Sequence, residues 1–211
     1  MTDADAFVET VQDENQTELS RLGSSKSLYA DTGGDIDTEP VLEATADAEH
    51  AAWQTFSGWA DDEDHDAARE AFETTAEEEQ GHFETVLEEL GDEEYEPQNV
   101  PALHEYLRGL DSTVDRVGAL VGRILASQRS KDQVVGFFVG DASPQTASVF
   151  REFGGDLDAQ LERATELLED VCESDDDWAQ AEAAANGAIE AAYDEYVENM
   201  EAMGANPKPV C

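Results

Sequence analysis

The chain has 211 residues, 40% of them hydrophobic, and a formal net charge of −41 from 52 Asp and Glu against 11 Lys and Arg. That is enough apolar material for the core of one ordinary domain. The charge excludes nucleic-acid binding, which needs a basic stripe, and no run reaches the ~20 apolar residues of a membrane span. Self-repulsion of this size destabilises a compact state, but molar salt shrinks the Debye length to roughly 3 Å and screens it. The composition therefore points to the cytoplasm of a salt-accumulating halophile. The N-terminal stretch Met1-Thr2-Asp3-Ala4-Asp5-Ala6 has no apolar signal-peptide region. Two cysteines, Cys172 and Cys211, do not make a disulfide framework. Cys172 reads as a small core residue, and Cys211 as an exposed thiol open to oxidation or metal.

The pattern is helical nearly throughout, and its regular stripes argue against a disordered acidic chain. A first helix is expected from Asp3 to Ala30, stopped by Gly33-Gly34. A second begins at Thr38-Glu39-Pro40, with Thr38 as N-cap and proline in the first turn, and ends near Ala60. A third runs from about Asp64 to Leu90, before Gly91, and the segment from Asp92 to Pro101 reads as a linker. Beyond it, helices are expected over Pro101–Leu110 and Ser112–Ser127, with a polar break at Arg129-Ser130-Lys131-Asp132. The apolar run Val134–Val139 reads as a further helical turn at the core or at a subunit interface. Two last helices are expected, from Asp141-Ala142-Ser143-Pro144 to Cys172 and from Asp177 to Met203.

Three of these helices carry a carboxylate on the apolar face. On the second helix, Leu42, Thr45, Ala52, Trp53, Phe56 and Trp59 form one stripe at about 100° per residue, with Glu49 in its middle. On the third, Ala68, Phe72, Ala76, Phe83, Val86 and Leu90 enclose Glu79, with His82 one turn on. On the first, Phe7, Val11, Leu22, Ser25 and Tyr29 enclose Glu18, with Glu14 one turn before it. A buried carboxylate is costly unless it is paired, protonated or bound to a metal. Carboxylate oxygens with an imidazole suit iron or manganese, and the cysteine count excludes a thiolate zinc site. Asp47 and His50 lie about 100° or more around the helix from Glu49. Leu42 and Phe56 side with Glu49, which leaves Asp47, His50 and Glu14 as secondary metal candidates. His65 and His104 read as surface residues, and the Trp53-Phe56-Trp59 stripe as packing.

The stretches Ala44-Thr45-Ala46-Asp47-Ala48-Glu49-His50-Ala51 and Ala76-Glu77-Glu78-Glu79-Gln80-Gly81-His82-Phe83-Glu84 resemble the ferritin-like superfamily, nearest to rubrerythrins without a rubredoxin domain. The hairpin is also similar to encapsulated ferritins, which carry Glu on one helix and Glu-x-x-His on the next. The resemblance implies an all-α fold: a ferritin-like antiparallel bundle over residues 1–97, with the helices of 98–211 packed on it, either as a second part or as one continuous domain. It implies a non-haem di-iron carboxylate protein (manganese being the other metal) that oxidises Fe(II) with O₂ or peroxide, with electrons delivered by an outside donor. Glu49 and Glu79 would be bridging or terminal ligands, His82 a nitrogen ligand and Glu18 a further carboxylate, with no catalytic residue beyond the ligands. The family's full set has two Glu-x-x-His motifs, and this chain has one. The site is then either completed across a homodimer or incomplete and metal-free. The alternative function is a metal-free helical bundle acting through protein interactions. A hydroxylase for an organic substrate is a third.

Overall fold

The computed structural model describes residues 3–207, so Cys211 and Lys208 lie outside it. The described residues form nine helices and no strand: α1 Ala4–Glu14, α2 Gln16–Leu22, α3 Ser25–Asp31, α4 Thr38–Asp62, α5 Asp66–Leu90, α6 Ala102–Arg108, α7 Thr113–Gly140, α8 Pro144–Val171 and α9 Asp175–Ala202. The fold is an all-α bundle, as the periodicity predicts, and among the described residues no helix is long and apolar enough to cross a membrane.

Four long helices make the central bundle. The α4–α5 hairpin turns at Glu63–His65, where the His65 ring nitrogen accepts from the Ala68 amide and caps α5. Gly91 ends α5 in the left-handed conformation at φ 71°, which glycine adopts without strain. The α7–α8 hairpin turns at Asp141–Ser143, and Pro144 opens α8 where its missing N–H is not needed. Cross-helix contacts fix the directions. Glu79 meets Gln160 and Glu89 meets Thr146, so α5 and α8 are antiparallel. Lys131 meets Glu49 and Arg116 meets Glu63, so α4 and α7 are antiparallel too. The end of α5 and the start of α7 therefore lie at opposite ends of the bundle. Residues 91–112 cross over between them along α4, held by Asp47 to Tyr95, Gln98 and Asn99 and by Arg108 to Thr55.

The helix expected over Asp3–Ala30 is three helices instead. Asn15 is the reason for the first break: its side chain donates to the Val11 carbonyl and to Asn186 on α9, so the chain turns there. Gly23-Ser24 makes the second break. The expected break at Arg129–Asp132 is absent, since α7 runs through it to Gly140. Arg129 and Asp132 face solvent there, while Lys131 points inward to Glu49. The expected cap at Thr38 is one residue late, because Asp37 accepts from the Thr38 amide.

Helix α7 is the centre of the molecule, with every residue from Arg116 to Ala126 buried. α4 and α8 pack on two of its sides, and α9 covers a third, running parallel to α7. Gly118 faces Ala181 and Gly122 faces Ala185 across this contact, and a Cβ built at either glycine would stand 2.2 Å from a backbone carbonyl oxygen of α9. The close approach of α9 thus depends on the absence of two side chains. Core residues from both the first and second halves of the chain form one continuous cluster, among them Phe7, Phe56, Phe72, Leu120, Ile124, Leu157 and Ile189. Gly118→Ala or Gly122→Ala should lower stability by roughly 1–3 kcal/mol through overpacking. Gly136→Ala, on the exposed end of the same helix with nothing within 4 Å, should raise it by about 0.5–1 kcal/mol. Urea unfolding in molar salt measures both.

Candidate metal centre

Glu49 on α4 and Glu79 and His82 on α5 converge inside the bundle. They are 1%, 0% and 5% exposed, and one ligand atom from each lies within 4.8 Å of the others. His82 Nδ1 stands 3.8 Å from Glu49 Oε2 and 3.8 Å from Glu79 Oε2. That spacing is of the order found between atoms that each lie about 2.1 Å from a shared ion. His82 Nδ1 is buried without a hydrogen-bond partner, while Glu79 Oε2 is ion-paired with Arg123. A buried polar atom left unpartnered is uncommon and calls for a reason.

The other ring nitrogen is held. His82 Nε2 is 2.9 Å from Oδ2 of Asp156, a half-exposed carboxylate on α8. The imidazole also stacks on Phe153, with centroids 4.0 Å apart and planes 20° from parallel. A carboxylate on one imidazole nitrogen orients the other toward a ligand, as it does around protein-bound metals. Burial opposes the charged ring, but the Glu79 and Asp156 carboxylates outweigh it and raise the His82 pKa above 6.5 in the protein alone.

Helices α7 and α8 close the cluster with cations and an amide. Arg123 lies 2.8 Å from Glu79 Oε2 and donates to Gln160 Oε1 at 2.9 Å, while Gln160 donates to Glu79 Oε1 at 2.8 Å. The guanidinium sits 5.3 Å from the centre of the Phe56 ring. Burial would raise the Glu79 carboxyl, yet Arg123 and His82 hold it well below the ordinary range. Lys131 reaches Glu49 Oε1 directly. Burial draws the Lys131 ammonium down to about 7, while the carboxylate in contact with it favours the charged form.

Of the sequence candidates, the structure brings together Glu49, Glu79 and His82. Glu18 is half-buried on α2 and outside this group, since the breaks at Asn15 and Gly23 turn that helix away from α4 and α5. Glu14 is exposed and accepts from Asn186. Asp47 is buried but holds the crossover segment, and His50 packs against Trp53 and Phe83. His104, expected at the surface, is 3% exposed. It contacts Thr55, and burial with Arg123 nearby lowers its pKa to about 3. Sequence reasoning passed over Arg123, Lys131, Asp156 and Gln160. Arg123 had a signal: a lone cation inside the run Val117–Ala126, in a chain with few cations.

A cavity of about 940 Å³ lies among α3, α4, α7, α9 and the crossover segment. Its lining runs from exposed Asp31 and Glu105 to buried Glu49, Arg123 and His104, and it includes Lys131. No protein-family model matches the chain, and no curated protein or solved structure matches it.

Arg123→Met should cost roughly 3–5 kcal/mol, because it leaves Glu79 buried without its counter-charge. Glu79→Leu added to it should recover most of that loss, read by urea midpoint. His104 gives a pH dependence. It is neutral when folded, so the unfolded chain binds one more proton between pH 6.5 and about 3. Stability from this group is complete above 6.5 and falls with pH, by up to about 1.4 kcal/mol per unit. His104→Gln should remove that slope between about pH 6 and about pH 5, measured as unfolding free energy against the parent.

Proposed function

We propose that the chain is a ferritin-like, non-haem metal protein of the rubrerythrin kind, cytoplasmic and dimeric, acting in peroxide defence or iron handling. The observation that carries this reading is the convergence of Glu49, Glu79 and His82 with His82 Nδ1 left without a hydrogen-bond partner. The topology supports it: two antiparallel hairpins joined by one long crossover is the arrangement of ferritin-like bundles. So does Asp156, which orients His82 from behind.

The donors suit one ion. Glu49, Glu79 and His82 would hold it, and the hard oxygen and imidazole set fits iron or manganese. Where a second ion would need another Glu and another Glu-x-x-His, α7 and α8 present Arg123, Lys131 and Gln160. A second chain would not complete the set either, since α7 and α8 of the same chain cover that face. A bound iron would supply one-electron chemistry toward O₂ or peroxide. The protein residues do the rest: Asp156 fixes the imidazole, Phe153 and Phe56 keep water from the cluster, and the cavity gives small molecules a way to Glu49.

The alternative is a metal-free bundle that works through partners. One observation favours it: Lys131 and Arg123 already balance the charge of Glu49 and Glu79. Metal analysis of protein purified in molar salt, without chelator or histidine tag, separates the two. The metal reading expects about one iron or manganese per chain, lost in Glu79→Ala and in His82→Ala together with Fe(II) oxidation by peroxide. No stoichiometric metal after anaerobic Fe(II) loading, or full activity in either variant, leaves the metal-free reading.

A further inference from the structure

The two cations at the cluster are not held alike. Arg123 is 3% exposed and held at once by Glu79, Gln160 and the Phe56 ring, groups on three different helices. Lys131 makes one ion pair, to Glu49, and its Nζ lies 5.8 Å from the Phe153 ring centre. Its flexible four-carbon stem lines the cavity beside Glu49, whereas Glu79 and His82 do not line it. Glu49 is therefore the ligand through which an ion coming from the cavity would reach the cluster, and Lys131 is the group already on it.

Both cannot remain. A divalent cation at Glu49, Glu79 and His82 adds two positive charges beside an ammonium in a site of low dielectric, where like charges repel strongly. Arg123 would have to break contacts with Glu79, Gln160 and Phe56 to leave, whereas Lys131 would break one ion pair. We propose that Lys131 gates the site: its ammonium occupies Glu49 in the metal-free protein and withdraws into the cavity when a divalent cation binds. This rests on the metal reading above and adds its control. The cluster is stable without metal because it carries its own cation, and occupancy is a competition between that cation and an external one. It also accounts for a lysine placed in the core of a chain that has only three, Lys26, Lys131 and Lys208.

Lys131→Met keeps the stem and removes the charge. Titration with Mn²⁺ alone in molar KCl, followed by the paramagnetic resonance of free Mn²⁺, should show binding at least about tenfold tighter than in the parent, a factor within reach of one removed charge. If that variant fails to fold with Glu49 unpaired, Lys131→Gln, which still donates to Glu49, takes its place. In the parent, saturating Mn²⁺ should speed acylation of the Lys131 amine several-fold, read by mass spectrometry, with Lys26 unchanged as internal control. Equal or weaker Mn²⁺ binding in the uncharged variant, with the parent binding normally, overturns the gate and leaves the metal reading standing. Binding only in the variant overturns the gate, because Lys131 then blocks the site instead of yielding it, and makes the parent a metal-free protein. Binding in neither overturns both.

Discussion

Two carboxylates inside one bundle must be neutralised, and the rest of the arrangement follows from how that is done. Glu49 and Glu79 sit where apolar residues would pack without cost, and an uncompensated charge there would outweigh the stability of an ordinary domain. Their partners come from one helix. Arg123 and Lys131 are eight residues apart on α7, so both project from one side of it, at levels about 12 Å apart along the axis. α7 must therefore lie antiparallel to α4, in a register that sets Arg123 against Glu79 and Lys131 against Glu49. A shift of one turn would leave four charges buried and unpaired. The ion pairs supply register more than stability, since buried pairs seldom repay their desolvation in full.

That register has costs elsewhere in the fold. An antiparallel α4 and α7, with α5 between them in sequence, forces the long crossover of residues 91–112 along the bundle. Such a segment has few backbone partners of its own, and Asp47 supplies them with four hydrogen bonds, from the Tyr95 hydroxyl, the amides of Gln98 and Asn99 and the Asn99 side chain. The same crossover brings His104 and Arg108 onto α4 and forms one wall of the cavity beside Glu49. Because α7 spends one face on charges, it needs close apolar cover on the others, and Gly118 and Gly122 admit α9 to backbone contact. The additional helix is part of what lets a charged helix stand at the centre.

The hairpin was legible because periodicity in α4 and α5 is strong: Leu42, Phe56, Phe72 and Phe83 fix one face, and Glu49 and Glu79 fall on it without adjustment. α8 was legible through Pro144, and α9 through the apolar stripe Trp178, Ala181, Ala185, Ile189, Tyr193, Tyr196 and Met200. Glu18 misled because a stripe assumes a straight axis. Asn15 bends the chain through a contact 171 residues away, which no local window contains. Lys131 was hidden by its neighbours, since Arg129, Ser130 and Asp132 read as a loop. Extending the helix through them would have placed Lys131 in line with Ile124, Val134 and Phe138. His104 was misplaced because a histidine beside Glu105 looks solvated, and only the docking of α6 on α4 buries it.

The contrast between surface and interior gives the site its working conditions. The exposed charge is overwhelmingly negative and depends on salt for tolerance, since mobile ions screen exposed charges beyond a few ångströms at molar concentration. Burial shields Glu79 and His82, which do not line the cavity, so their electrostatics change less with salt than those of the surface, and Glu49 is the carboxylate of the cluster that the cavity reaches. A monovalent ion from such a medium gains little at Glu49, where an ammonium of the same charge is already covalently tethered at contact. A divalent ion brings twice the charge and a use for the imidazole nitrogen that the ammonium leaves unpartnered. On the proposed gate, the tethered lysine would discriminate by charge against monovalent cations, which is what a buried acidic site in molar salt would most need.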